Sequence, residues 1–149
     1  MSKLPSERIA ILATIDPDAY GTGTQTSDWA SVEEFHQVFA VVEAGILAAS
    51  ATLDAKLMQA TSSTGAGAKV VSTANAQITQ LDTGDNDKQA IMNLRTDSLD
   101  VAGGFSFVAL RMTLTTAGGD CSGVLFGVDP RHGPADDFDL ASVAEIKSA

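Results

Sequence analysis

Cysteine is almost absent: Cys121 stands alone among 149 residues. A disulfide within one chain needs two, so this chain cannot staple itself. A chain of this length does not need to, because it buries roughly 68–70% of the surface its unfolded form exposes. A lone cysteine fits a reducing compartment. Basic residues are also scarce, nine Lys and Arg against 19 Asp and Glu, for a formal net charge of −10. Nucleic-acid binders neutralise phosphates with Lys and Arg, so nucleic acid is set aside as a partner. Aromatic residues make up 5% of the chain, which limits stacking platforms for sugars or single strands. No stretch approaches the roughly 18 apolar residues of a membrane-spanning helix. Residues 1–10 carry Lys3, Glu7 and Arg8 and no apolar run of signal-peptide length. The expected location is therefore the cytoplasm, unless the chain leaves as part of a particle, and no membrane partner is expected.

What the sequence does contain is short apolar runs separated by Gly, Asp, Ser and Thr. Residues 1–15 read as an N-terminal arm, anchored by the run from Ile9 to Ile15. Asp16-Pro17-Asp18 is a turn signal, because Pro fixes its own φ and restricts its predecessor. Residues 20–28 read as an extended loop or edge segment. Phe35 to Val42 is apolar enough for a buried strand. Leu53, Ala55 and Leu57 alternate with Asp54 and Lys56, which is the period of a half-buried strand. Gly45 and Thr52 argue against a single helix through residues 39–60. Residues 61–68 are a loop, and residues 70–71 and 76–81 a weaker strand region. Residues 82–87 form a turn, and residues 89–96 a strand.

In residues 105–116 the alternation is clearest, with Val108, Leu110, Met112 and Leu114 on one face. Val124, Phe126 and Val128 share a face in the next run. Residues 117–120 between them predict a hairpin. Pro130 and Pro134 then end the sheet. Residues 135–149 form a C-terminal tail in which Leu140, Val143 and Ile146 permit a short helix or an extended arm. Short strands without strand–helix alternation predict a mainly β chain: an antiparallel, jelly-roll-like β-sandwich over residues 16–134 with extended arms at both ends.

The sequence holds no constellation for chemistry. His36 lies in an apolar strand, where a structural role is expected. His132 sits between prolines and fits either an interface contact or a turn. Cys121 opens a strand with no base in sight and reads as inert. No Gly-x-Ser-x-Gly elbow occurs, and Gly65-Ala66-Gly67 lacks the Lys of a phosphate loop. Asp82, Asp85 and Asp87 offer oxygen ligands but lack the spacing and closing Glu of an EF-hand, so a solvated turn is expected. Asp136, Asp137 and Asp139 read as a solvated tail. No His/Cys set completes a zinc site. No catalytic residue, cofactor or metal is assigned.

Four segments together resemble small head proteins of tailed bacteriophages: Phe35 to Val42, Ala51 to Ala68, Phe105-Ser106-Phe107-Val108-Ala109-Leu110-Arg111, and Leu125-Phe126-Gly127-Val128-Asp129-Pro130-Arg131-His132-Gly133-Pro134. The resemblance covers roughly residues 30–135, and the terminal Pro-Arg-His-Gly-Pro is its best motif. It implies a β-sandwich protein of the virion that decorates or cements the outer capsid surface, and that occupies the host cytoplasm during assembly. The implied partners are the major capsid protein and further copies of the chain, a homotrimer being the natural state on a local threefold. Arms that engage neighbours would place Ile9, Ile11, Leu12 and Ile15 at an interface, because such side chains are costly to leave exposed. Arg131 and His132 of the terminal motif join them as candidate contacts. A neck or tail protein is the rival virion role. A carbohydrate-binding sandwich would need exposed aromatics, for which Trp29 and Tyr20 are the candidates, and a hydrolase ranks last.

Overall fold

The computed structural model describes residues 3–71, 77–136, 139 and 141–148. Among these the strands are β1 (Ile9–Tyr20), β2 (Gly23–Thr26), β3 (Ala30–Ser31), β4 (Phe35–Leu47), β5 (Thr52–Ala60), β6 (Lys69–Val70), β7 (Gln89–Arg95), β8 (Phe107–Thr115) and β9 (Gly119–Pro130). They form two sheets in which neighbouring strands run antiparallel. One has the order β1-β9-β4-β7. The other has the order β2-β8-β5-β6, with β3 also paired to β8. The expected mainly β antiparallel sandwich is what the chain forms. Its pairs nest: β1 with β9, β2 with β8, β4 with β7, β5 with β6. A long hairpin that rolls over itself gives this order.

The core follows from period-2 alternation meeting across two sheets. In β5, Leu53, Ala55 and Leu57 point inward, as their spacing predicts. In β8, Val108, Leu110, Met112 and Leu114 do the same. The other sheet answers with Val38, Ala40, Val42, Met92, Leu94 and Leu125. Buried polar groups at the sandwich ends are paired. Ser27 exchanges hydrogen bonds with Leu110, accepting from its N–H and donating its own N–H to the carbonyl, both at 2.9 Å. Gln59, 2% exposed, accepts from the Asp100 N–H at 2.9 Å.

The predicted hairpin between residues 105–116 and 122–128 does not form. Both runs are strands, but β8 lies in one sheet and β9 in the other, and the chain crosses the sandwich at Thr116–Gly118. Two consecutive alternating strands satisfy their apolar faces equally well by facing each other across a core as by pairing side by side. The inward side of β9 is also not the one its hydrophobicity marks. Cys121, Gly123, Leu125 and Gly127 point inward, whereas Val124, Phe126 and Val128 point out and remain half-exposed. The glycines are required for space. A Cβ on Gly127 would come within 2.7–2.8 Å of three atoms of the buried Phe35 ring. A Cβ on Gly123 would collide with Leu110. Side chains of the facing sheet and of Phe35 fill the volume that β9 leaves empty.

The expected N-terminal arm, residues 1–15, is also corrected. Ile9 to Ile15 belongs to β1, which is paired to β9 from Ile9↔Val128 to Tyr20↔Gly119. An apolar run bonded along a sheet gains burial that a free arm would lack. Asp16-Pro17-Asp18 does not turn the chain. It sits in a register shift between Ile15 and Asp18 on an edge strand, where Pro forfeits no ladder bond. The tail is tied down in part. Ala135 donates its N–H to the Glu7 carbonyl at 2.9 Å and Asp139 to the Ile11 carbonyl at 2.7 Å. The Thr14 and Ser142 hydroxyls meet at 3.0 Å. At Ala135, Asp139 and Ser142 the tail thus lies alongside the N-terminal segment and the outer edge of β1, in the same chain direction. Val143 and Ile146 are not helical, and Leu140 lies outside the described residues. Of the weak strand region, Gln77 and Leu81 make isolated bridges to Lys56 and Leu53, and Ala76 lies outside the described residues.

Candidate functional site

The outer face of the β1-β9-β4-β7 sheet carries a continuous set of partly exposed apolar side chains. Register aligns its outward side chains into rows across the four strands. The first row is Ile9, Val128, Gln37 and Arg95. The second is Ile11, Phe126, Phe39 and Asn93. The third is Thr14, Val124, Val41 and Ile91. A polar fourth row of Ser122, Glu43 and Gln89 closes the face, with the Ser122 hydroxyl donating to Glu43 at 3.2 Å. The Phe39 and Phe126 rings pack edge-inclined at the centre, centroids 5.9 Å apart. Ile91 is 56% and Ile9 39% exposed. An apolar face this continuous is unusual on a water-facing sheet.

The candidate interface residues divide accordingly. Ile9 and Ile11 lie on this face. Leu12 and Ile15 do not: they are core residues at 7% and 5% exposure, so neither can meet a partner. The bulge between Ile11 and Ala13 turns Leu12 inward. Arg131 is exposed but engaged within its own chain. Its Nε donates to the Glu33 carbonyl at 2.8 Å, its Nη2 to the Thr96 hydroxyl at 2.9 Å, and its Nη1 lies 3.3 Å from His36 Nδ1. The Thr96 hydroxyl in turn bonds the carbonyls of Phe35 and His36 at 2.9 and 3.1 Å. Arg131 therefore fastens the end of β9 to the start of β4 and to the turn after β7. This gives His36 a structural surrounding and accounts for Arg131 without any partner. His132 is exposed, and no hydrogen bond to another side chain occupies it among the described residues. Sequence reasoning missed Phe39, Val41, Val124, Phe126, Val128 and Ile91 as surface residues. Phe39 and Val41 were read within a buried strand, Val124, Phe126 and Val128 only as sharing a face, and Ile91 only as part of a strand.

A cleft of about 550 Å³ lies between the β1 bulge and the β4 bend, lined by Asp18, Glu43, Asp87, Asp120 and Cys121 among others. Burial, and then the Asp120 charge, push the Cys121 thiol up to about 11, so it is protonated at neutral pH. Among the described residues no three His, Cys, Asp or Glu side chains converge as metal ligands. Asp85 serves its own turn: hydrogen bonds from the Asp82 backbone and from Lys88 hold its carboxyl below the usual range. Trp29 is half-buried, with its indole against Gly65, where no side chain would fit. Tyr20 donates its hydroxyl to the Asp16 carbonyl at 2.6 Å. Neither aromatic forms an open platform.

No protein-family model matches the chain, and no curated protein sequence is similar to it. Among solved structures, a chain of the cryo-EM structure of Broad Bean Stain Virus is similar at 13% identity and a TM-score of 0.34, over 93% of this chain and 98% of that one. A chain of infectious bursal disease virus, Gx strain, is similar at 11% identity and a TM-score of 0.27, over 83% of this chain and 41% of that one. The carbohydrate binding module CBM6cm-2 from Cellvibrio mixtus lichenase 5A, in complex with cellotriose, is similar at 12% identity and a TM-score of 0.25, over 82% of this chain and 99% of that one. Function is therefore argued from the surface of the chain itself.

Proposed function

We propose that the chain is a structural protein of a virus particle, of the kind that decorates or cements the outer capsid surface of a tailed bacteriophage. The observation that carries this reading is the apolar patch, centred on Phe39 and Phe126, that spans the outer face of the β1-β9-β4-β7 sheet. Such a surface supplies the shape and apolar anchors by which the proteins of a shell, copies of one chain included, hold one another. The nested strand order supports reading the sandwich as a jelly roll. A net charge of −10 suits a protein that sits away from packaged DNA. The partners proposed are the major capsid protein and further copies of this chain, and the location is the virion surface.

The test is reconstitution. Purified chain is added to shells assembled without it, and bound protein and the temperature of shell disruption are measured. Saturable binding with a raised disruption temperature is expected. Shells that neither bind it nor gain heat resistance would overturn the cement role.

A further inference from the structure

We infer that the apolar face of the β1-β9-β4-β7 sheet pairs with the same face of a second copy, the two sheets stacked with their strands running in opposite directions. This rests on reading the face as a protein contact, and it names the partner.

Two features select a copy of the chain as occupant. The first is that the face is one continuous patch with a single apolar centre, Phe39 and Phe126 flanked by Val41, Val124 and Val128. A patch of this kind is self-complementary about a two-fold axis lying across the strands. A closed trimer would instead need two different surfaces that fit each other. The second is charge. The fourth-row end of the face carries Glu43, and Asp18, Asp87 and Asp120 line the cleft beside it. The first-row end is mixed in sign: it carries Arg95, paired to Asp97 at 3.0 Å, with Arg8 nearby in an ion pair to Asp129 at 3.4 Å. Copies stacked with strands in the same direction would lay one acidic end on the other, in a chain that already carries −10. Reversing one copy sets Arg95 over the Gln89–Glu43 end of its mate. The cross-strand axis brings each first row onto the mate's fourth row and keeps the apolar second and third rows together.

The size of the face sets the strength. Three strand spacings of about 4.8 Å and three two-residue steps of about 6.8 Å, with a border, give a flat footprint of roughly 500 Å². A standard stable interface buries about 800 Å² per partner. The pair is therefore concentration-dependent in solution. Copies held side by side on a shell would meet at a high effective concentration, where weak pairing suffices.

The experiment is sedimentation or light-scattering mass of the full chain across a concentration series, with circular dichroism as the fold control. The expected mass rises from the monomer's 15.3 kDa towards twice that value. Ile91→Lys, at an exposed edge position, is expected to weaken pairing at least tenfold. Glu43→Arg is expected to weaken it as well, and Glu43→Arg combined with Arg95→Glu to restore it. A chain that stays monomeric at every concentration, or forms a trimer, would overturn the pairing. So would unchanged association of the Ile91→Lys variant. A charge swap without recovery would overturn the reversed stacking. The two readings fail separately. A monomer that still coats particles leaves the virion role and removes the pair, and a dimer absent from particles does the reverse.

Discussion

Gly127→Ala adds one methyl group where the sandwich has no room for it. Gly127 pairs with Ala10 and Val38, both fully or nearly fully buried, and its missing side chain leaves the space that the Phe35 ring fills. The added carbon would lie 2.7 Å from Phe35 Cγ and Cδ2 and 2.8 Å from Cδ1. Ordinary carbon contacts are about 3.5–4.0 Å, so the ring or the strand must move. Phe35 is 1% exposed and hemmed in by core, so neither moves freely. Overpacking of this kind costs about 1–3 kcal/mol. With a urea m-value of about 2 kcal/mol/M, the midpoint should fall by about 0.5–1.5 M. The melting temperature should fall by about 2–4 °C per kcal/mol for a chain of this size. Phe35→Leu opens the space, so the double variant should be more stable than the sum of the two single losses allows. Coupling above about 0.5 kcal/mol is expected for residues in contact. A Gly127→Ala variant as stable as its parent, or strictly additive with Phe35→Leu, would refute the claim that glycine on β9 exists to admit Phe35.

Arg131→Ala removes the guanidinium that joins Glu33, Thr96 and His36, and should destabilise the chain by about 1.5–3 kcal/mol, the range for hydrogen bonds to charged groups, read as a fall in urea midpoint. Arg131→Lys should recover only part, because an ammonium cannot span the three partners. Cys121 should resist a thiol reagent at pH 8 in the folded chain and react promptly in urea, since it is buried and its thiol titrates at about 11. Reaction at equal rates in both states would contradict that placement. The Lys69 side chain, and then the Gly103 N–H, hold the Asp100 carboxyl below its ordinary value of 3.8. Its stabilising contribution is therefore present above pH 3.8 and lost as pH falls through the lower folded value. Asp100→Asn should flatten the acid limb of the stability–pH curve, and an unaltered limb would refute the assignment.

Much of the fold was legible as alternation. Leu53, Ala55 and Leu57, and Val108 to Leu114, point where their spacing said they would. Which strands pair was not legible. The short Thr116–Gly118 link between β8 and β9 crosses the sandwich instead of closing a hairpin, because Leu110 and Met112 meet the glycine side of β9. The candidate face was hidden by the same fact. A strand with valines and phenylalanine on one side and glycines on the other reads as apolar-in, yet the glycine side is inside. Only the partner that fills the glycine space, Phe35 or Leu110, reveals the inversion, and these lie 92 and 13 residues away along the chain. Ile9 and Ile11 were legible as contact candidates, whereas Leu12 and Ile15 were indistinguishable from them until the bulge fixed their direction.

The most direct test of the structural role is the copy number of this chain in purified particles, measured against the major capsid protein. A ratio near one, or a simple fraction of it, is the expected result and fits a protein spread over the whole shell. A trace ratio would contradict the decoration role and move the chain to the neck or tail, and complete absence would contradict the virion reading altogether.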